Sequence, residues 1–422
     1  MTEPDRPNAD TRQISWAALA HRDLRWYLAG NVCSNIGTWL QNTAQILLAY
    51  QLTRSAVGVG LVTGAQFASA LVLGPWAGML ADRFDRRRVL VATHVASAAV
   101  AAVMATLQFS HRLTLPLLMT GALAIGTAFT FTLPALSALV PTLVPEEKTR
   151  AAIALNTVSF NVGRAMAPVL GIGVVMTMGF GWAFLLNAVS FVALAGVFVV
   201  LRPRAVVREA RRPRVLDGLR IALGDRKILF VLCMVALVTI TTDPPLVLGP
   251  SLAREFGVPE VWSAYFLAAF GTGTLAGSLL PARKPNFLTA GCYLGVVGVM
   301  IMVLPHAPNF GLAIAFVGVA GAASLLVGSA LQTLLLGLAG PHRAGRIMAV
   351  WTIAFAGSRP LATAWDTWLA AQLGTSWGVL VLAAPAVLVS VAVIYVRRSE
   401  PRRELARAWL RRGPFWPLRV PA

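Results

Sequence analysis

Four charged side chains lie inside long apolar stretches of the sequence: Arg164, Asp243, Arg359 and Asp366. An arginine stays ionised at neutral pH, so each one that lies deep in a membrane needs an acidic partner or water. Exchange of a proton for another solute requires a buried acid that gains and loses a proton. Burial favours the neutral acid, whereas a nearby arginine favours the ionised one. These four residues are our candidate coupling group, with Asp243 or Asp366 as the acid.

The positions of the two aspartates leave alternatives open. Asp366 follows Arg359 by seven residues, so both lie on one helical face, about 10 Å apart along the axis. They can interact only through a third group. Asp243 is followed by Pro244 and Pro245, which interrupt a helix. It is therefore either a buried coupling acid or a cap near the membrane surface.

A stripe of polar residues follows the first apolar stretch. Its members are spaced alternately by four and three residues, which places them on one face of a helix: Asn31, Asn35, Thr38, Asn42 and Gln45. Amides offer both donors and acceptors, so the stripe suits the wall of a wet, substrate-binding cavity. Hydrogen bonding between helices is the alternative. Three amides in other apolar stretches are further binding candidates: Gln66, Asn161 and Gln332.

Composition indicates a multi-pass membrane protein. The mean hydropathy is +0.70 and 13% of residues are charged, against about 25% in soluble domains. A helix needs about 20 apolar residues to cross the hydrocarbon. We predict an all-α protein with twelve spans: 25–50, 56–80, 89–108, 115–140, 151–176, 181–201, 228–249, 261–280, 288–304, 310–335, 347–371 and 376–396.

The distribution of basic residues predicts the orientation. With these spans, all 36 lysines and arginines except five fall within residues 1–25, after the last span, or on every second loop. The exceptions are Arg54, Arg112 and Arg254 on the opposite loops and Arg164 and Arg359 within spans. Cytoplasmic loops collect lysine and arginine, so both termini are expected in the cytoplasm. The net charge of +19 is explained by this placement, and we do not expect nucleic-acid binding.

The chain divides into five segments. Residues 1–24 form a polar cytoplasmic segment without the apolar core of a cleavable signal, and residues 25–201 form a first bundle of six helices. A cytoplasmic loop, 202–227, precedes a second bundle, 228–396, and an amphipathic surface helix is expected over 215–228. The basic tail, 397–422, either binds anionic headgroups or is disordered.

The two halves repeat one another. Pro145 stands five residues before Arg150, and Pro341 stands five residues before Arg346. Each following span carries its buried arginine four residues after a phenylalanine, and the corresponding positions differ by 195 or 196 residues. A parallel repeat of this kind is typical of transporters that handle their substrate between two halves.

A charged turn between the second and third spans carries a family resemblance. Gly78 followed by residues 82–87 (DRFDRR) resembles the corresponding loop of the major facilitator superfamily, with Asp85 where glycine is usual. Residues 34–41 (SNIGTWLQ), 154–156 (ALN), 159–161 (SFN) and 184–191 (FLLNAVSF) resemble its enterobactin-exporter-like branch, which includes macrolide efflux proteins.

The resemblance implies a twelve-helix fold of two pseudo-symmetric bundles that rock about a central cavity. The charged turn would then latch one conformation through Gly78, Asp82, Arg83, Arg86 and Arg87. Residues 163–171 (GRAMAPVLG) are similar to the antiporter motif of the superfamily, with Ala167 in place of a glycine.

These features predict a secondary active exporter in the cell membrane. Its cargo would be a small organic molecule such as a siderophore, an antibiotic, another secreted metabolite or a drug, and protons would drive its export. Import or lipid movement by the same fold, and a non-transporting sensor or scaffold, are the alternatives. We expect no enzymatic activity, no cofactor and no metal site, because nucleophile–base pairs, phosphate loops and metal-ligand spacings do not occur. The expected partners are the substrate, protons and lipids, and the expected state is a monomer.

Overall fold

The computed structural model of the 422-residue chain describes residues 16–204, 215–280, 285–340 and 343–412. These residues form helices and short connections. The first half contains six long helices: α1 (Arg22–Thr53), α2 (Ala56–Arg83), α3 (Arg86–Phe109), α4 (Leu115–Leu139), α5 (Thr149–Thr177) and α6 (Phe180–Val200).

The second half is more interrupted. It contains α7 (Val215–Gly224), α8 (Arg226–Thr242), α9 (Pro244–Val247), α10 (Gly249–Glu255), α11 (Ala264–Leu279), α12 (Phe287–Val303), α13 (Phe310–Ala339), α14 (Ala344–Thr352), α15 (Arg359–Leu373) and α16 (Thr375–Arg412). A π-helical segment, Ile353–Gly357, lies between α14 and α15.

Within the described ranges, nine helical stretches are long and apolar enough to cross a membrane. They coincide with nine predicted spans, and the other three predicted spans also coincide with helical regions. One of these is α1, which carries the polar stripe; another is α11, which has 16 residues; the third is divided between α14 and α15. The helical membrane architecture is thus confirmed, while the number twelve stays a prediction.

Local sequence explains several helix ends. Asp85 caps α3, because its carboxylate accepts a hydrogen bond from the backbone N–H of Arg88 at 3.0 Å. Asn286 and Thr289 form a capping box at the start of α12. Gly374 has a φ of 84° in the short turn between α15 and α16, a conformation that glycine adopts without a steric penalty.

The helices pack in two groups that follow the order of the chain. In the first half, α1 packs against α5 and α6, α3 packs against α4 and α6, and α2 packs against α4. In the second half, α11 packs against α13, and α12 packs against α13 and α16. The most extensive contacts between the groups are those of α5 with α11 and α2 with α15, and α2 also packs against the π-helical segment and α9. Residues on these elements therefore line the boundary between the halves.

Close helix packing also follows the internal repeat. A Cβ atom added at Gly126 of α4 would collide with the backbone carbonyl oxygen of Gln66 in α2. A Cβ atom at Gly321 of α13 would collide in the same way with the carbonyl oxygen of Phe270 in α11. Gly321 stands 195 residues after Gly126, the offset that relates the two buried arginines. Both halves thus use a glycine for close approach of corresponding helices.

The surface helix predicted within 215–228 is present as α7. It packs against α14, where Gly218 lies against the backbone carbonyl of Arg346 and the side chain of Val350. Ala222 of α7 is buried in a core cluster of the second half. The last part of the central loop is therefore attached to the second helix group.

Candidate functional site

The break between α8 and α9 positions Asp243. Pro244 and Pro245 have no backbone N–H, so α8 ends just before Asp243 and a new short helix begins. The backbone carbonyl of Asp243 accepts the N–H groups of Leu246 and Val247 at 2.9 and 3.0 Å. Its carboxylate makes no capping hydrogen bond. The break lies where the sequence predicted it, but the carboxylate instead faces α15.

The π-helical segment positions Arg359. Within this segment the backbone carbonyl of Phe355 accepts hydrogen bonds from the hydroxyls of Thr239 and Ser358 at 3.3 and 3.4 Å. Pro360, which suits the first turn of a helix, then follows at the start of α15. Segments of this type are frequent at functional sites, and here the segment directly precedes the arginine.

Asp243 and Arg359 form a buried ion pair. Nη1 of Arg359 lies 3.4 Å from Oδ1 of Asp243, in contact but without the geometry of a hydrogen bond. The hydroxyl of Thr363, one turn further along α15, donates to Oδ2 of Asp243 at 2.8 Å. The Asp243 side chain is 1% exposed and the Arg359 side chain is 13% exposed. The carboxylate is therefore held by one positive charge and one hydroxyl.

Asp366 has no such support. It is fully buried on α15, and in the described part of the chain neither carboxylate oxygen has a hydrogen-bond partner. Asp243 is near enough to act on it electrostatically as a like charge. An ionised carboxylate in this position would be unpaired in a low-dielectric interior, which is strongly unfavourable.

Arg164 approaches the same place from the first helix group. Its guanidinium carbon lies 4.4 Å from the ring centroid of Phe270 and 5.1 Å from that of Trp39. Arg359 and Asp243 both act on it electrostatically. Its side chain makes no ion pair or hydrogen bond with any residue that the structure describes. The four charged residues singled out in the sequence are thus brought together between α5, α8 and α15.

A small cavity opens beside this cluster. It has a volume of ≈ 20 Å³ and is lined by both arginines, Trp39, Phe270 and five further residues of the α8–α9 and α11 region. A larger groove of ≈ 590 Å³ lies on α15, where Trp365 and Trp368 stack at 5.0 Å and are half exposed. We place the functional site at the smaller cavity, because the charged groups converge there and the groove is almost wholly apolar.

The polar stripe of α1 has two kinds of environment. Asn31 is buried and donates to Asn156 and Ser159 of α5 at 3.2 and 3.0 Å. Gln45 is buried and accepts a hydrogen bond from Gln41 at 3.0 Å. These two amides connect residues within the helix group. The middle three members are partly exposed: Asn35, Thr38 and Asn42.

The other candidate amides are dispersed. Gln66 donates to Asn42 at 3.0 Å, which links α2 to the stripe. Asn161 is buried and accepts a hydrogen bond from Thr274 of α11 at 3.4 Å, across the contact between the groups. Gln332 is exposed on α13. Their roles in binding stay predictions.

The charged turn is described only in part. The side chains of Asp82 and Arg83 and the surroundings of Gly78 lie outside the described part of the structure. Arg86 donates to the carbonyl of Ala138 at 3.0 Å, and Arg87 donates to that of Val199. Both contacts are within the first helix group, so they do not test a latch between halves.

Sequence reasoning missed the neutral residues of the site. Thr363 stands four residues after Arg359 and three before Asp366. This spacing alone places the three residues on one face of a helix. Trp39 and Phe270 had no comparable signal, because aromatic residues are common in apolar helices. Their contact with Arg164 depends on the packing of α1 and α11 against α5.

Comparisons with known proteins agree with this architecture. A family model described as transmembrane secretion effector matches residues 13–411. The nucleoside transporter NupG has a similar solved structure, with a TM-score of 0.70 and 13% identity over 88% of this chain and 99% of that one. A bacterial homologue of the lysosomal transporter Spinster, in an inward-facing and unoccupied conformation, has a TM-score of 0.65 and 14% identity, with 88% and 95% covered. These structures support the fold alone.

Curated relatives are distant in sequence. The MFS-type transporter YfiS of Bacillus subtilis is 25% identical over 62% of this chain and 64% of its own length. Macrolide efflux protein A of Streptococcus pyogenes is 28% identical, with 61% and 66% covered. The matches thus span just under two thirds of these two relatives. The enterobactin exporter EntS of Escherichia coli is 25% identical, with 86% and 87% covered.

The family model covers nearly the whole chain, and the relatives include transporters of the superfamily that the sequence resembled. The chain therefore belongs to the transmembrane secretion effector family of the major facilitator superfamily, a membership that indicates a multi-pass membrane transporter and not an enzyme.

Proposed function

We propose that this protein is a secondary active exporter of a small organic molecule, driven by proton antiport through alternating access. The names of its relatives support export, since they include a macrolide efflux protein and an enterobactin exporter. A siderophore, an antibiotic, another secreted metabolite or a drug is the corresponding cargo.

The proposed architecture has twelve spans in two six-helix bundles, 25–201 and 228–396. The separate packing of the two helix groups and their contacts through α5–α11 and α2–α15 support this division. The concentration of basic residues on alternate loops supports a cytoplasmic position for both termini. The protein acts as a monomer surrounded by lipid, and the turn from Gly78 to Arg87 latches one conformation.

The observation that carries the proposal is the contrast between the two buried aspartates. Asp243 is ionised, because Arg359 and Thr363 support its negative charge at 3.4 and 2.8 Å. Asp366 holds the proton in this conformation, because no donor in the described part of the chain supports a charge on it. Rocking of the halves moves Arg164 relative to both acids, so the favoured position of the proton changes with conformation.

The partly exposed polar residues of α1 supply the polar wall for the cargo. Asn35, Thr38 and Asn42 lie on one face, and Gln66 supports Asn42. Asn161 of α5, which contacts Thr274 of α11, and the two arginines beside the cavity are the further polar groups proposed to meet the cargo. Binding of the cargo there would compete with the electrostatic interactions that hold the proton, which is the coupling that antiport needs.

The test is accumulation of candidate cargo in cells that lack their own efflux pumps, with and without a protonophore. The protein should lower accumulation, and collapse of the proton gradient should abolish this effect. Asp366→Asn, which mimics the protonated acid, should still bind cargo but lose dependence on the gradient. Glu146→Gln, a change in a loop, is the control and should behave like the unmodified protein. Export that survives the protonophore, or full proton dependence in Asp366→Asn, would refute the scheme.

A further inference from the structure

Arg164 and Arg359 differ in how their charges are balanced. Arg359 has Asp243 at 3.4 Å, whereas Arg164 has two aromatic rings and no acidic partner among the described residues. With Asp366 neutral, as proposed above, the cluster has two positive charges and one negative charge. The surplus positive charge is located on Arg164.

The aromatic rings alone do not balance this charge. A cation–π contact attracts the guanidinium, but a ring carries no counter-charge and offers no hydrogen-bond acceptor to its N–H groups, and an arginine inside a bilayer needs such a partner or water. The adjoining cavity of ≈ 20 Å³ has room for about one water molecule. Arg164 lines this cavity, so a solute that enters the cavity meets its guanidinium.

The walls of that cavity come from both helix groups. Trp39 and Arg164 belong to the first group, and Phe270 and Arg359 belong to the second. Separation of the groups therefore widens the space beside Arg164 without removing the residue from its own helix. In the proposed alternating access, this separation would expose the guanidinium of Arg164 together with the rings of Trp39 and Phe270.

We propose that Arg164 is the anion-binding subsite for the cargo, and that the cargo is an aromatic organic acid. Its carboxylate pairs with the guanidinium, whose planar fork suits two parallel hydrogen bonds. Its ring stacks on Trp39 and Phe270, where offset or edge contacts between rings are favourable. This inference rests on the proposed transport function and adds the chemical class of the substrate.

The local charges also define which solutes are disfavoured. A cationic group would meet Arg164 and Arg359 together and be repelled by both. A neutral molecule would leave the guanidinium without a counter-charge. The second arginine does not compete for the anion, because its own acid already occupies it. The expected order of affinity is therefore aromatic acid, then neutral aromatic amide, then aromatic amine.

Binding of matched probes to the purified full chain in lipid nanodiscs tests this inference. The probes are 2-naphthoate, the neutral 2-naphthamide of the same shape, and cyclohexanecarboxylate, which has the charge without the aromatic ring. By titration calorimetry, 2-naphthoate should bind at least tenfold more tightly than either of the others. Arg164→Gln should abolish the preference for acid over amide. Arg164→Lys should keep part of the preference but bind 2-naphthoate more weakly, because lysine lacks the planar fork.

Arg112→Gln is the matched control, since Arg112 lies in a loop outside the spans and is exposed. It should bind all three probes like the unmodified chain. Equal affinity for 2-naphthoate and 2-naphthamide, or an acid preference that survives Arg164→Gln, would overturn the inference. If Arg164→Gln does not assemble as a single species, the unmodified chain and Arg164→Lys still decide the outcome.

The result is independent of proton coupling, because no gradient is present in the binding experiment. Acid-selective binding together with export that ignores a protonophore would retain the subsite and remove the antiport scheme. Proton-dependent export together with equal binding of acid and amide would do the reverse.

Discussion

Arg164 and Arg359 occupy corresponding positions in the two halves, 195 residues apart, yet their surroundings differ. Arg359 pairs with Asp243, and Arg164 lies between Phe270 and Trp39. The repeat thus contains an arginine at the same position in each half. The neighbouring helices place an aspartate beside one arginine and two aromatic rings beside the other. The two halves therefore share the position of the arginine but differ in the groups that contact it.

The helices that carry the two arginines also differ. α5 continues through Arg164 and Pro168 to Thr177. The equivalent region of the second half is interrupted by the π-helical segment, and Arg359 begins a new helix. In addition, the break before Pro244 brings Asp243 to face α15. The asymmetry therefore arises from two interruptions, both in the second half.

The largest expected effect comes from removing the acid. Asp243→Asn would leave Arg359 buried without its counter-charge, and loss of one partner of a buried pair costs about 3–5 kcal/mol. We expect a marked fall in the midpoint of thermal unfolding in detergent. The double variant Asp243→Asn with Arg359→Gln has neither charge and should recover most of the loss. A double variant as unstable as the single one would show that charge pairing is not the reason.

A smaller effect should distinguish the aromatic partners. Phe270→Leu weakens the aromatic contact on which the Arg164 charge depends, whereas Phe67→Leu removes a ring 5.1 Å from an arginine that already has an acid. Double-mutant cycles with Arg164→Gln and Arg359→Gln isolate the coupling from the loss of packing. We expect about 2 kcal/mol for Arg164 with Phe270 and under about 1 kcal/mol for Arg359 with Phe67. Equal coupling energies would contradict the contrast between the two arginines.

The smallest effect concerns an exposed ion pair, which contrasts with the buried one. Arg54, after α1, lies 3.3 Å from Glu260, before α11, and so joins the two helix groups. Exposed pairs contribute about 0.2–1 kcal/mol, so Arg54→Glu should change the export rate no more than about fivefold. The exchanged variant, Arg54→Glu with Glu260→Arg, should restore the rate at low salt. Failure of the exchange to restore it would argue against a role for this pair in closing that end.

Much of the fold was predictable because spans depend on local composition. The apolar stretches corresponded to helical regions, and Pro244 and Pro245 ended α8 as expected from the missing N–H groups. The repeat was visible in the spacing of Arg164 and Arg359 along the chain, and its offset reappears in the close contacts of Gly126 and Gly321. These features need only short segments of sequence to be recognised.

The pairing of Arg359 with Asp243 could not be predicted from the sequence, and the reason is physical. Periodicity placed Asp366 on the same face as Arg359, but it gives no information about a neighbouring helix. Asp243, 116 residues earlier in the chain, is the partner that the packing of α8 against α15 supplies. The π-helical segment also escaped prediction, because residues 353–357 have an ordinary apolar composition.

That segment has a mechanical consequence. A helix with one wider turn bends most readily there, so we expect Ile353–Gly357 to serve as a joint between α14 and α15. The ion pair of Arg359 lies immediately beyond this joint, and α7 is attached to α14 on its other side. A tilt of α14 relative to α15 would therefore change the distance between Arg359 and Asp243. Bending of the helix and separation of the ion pair would then occur together.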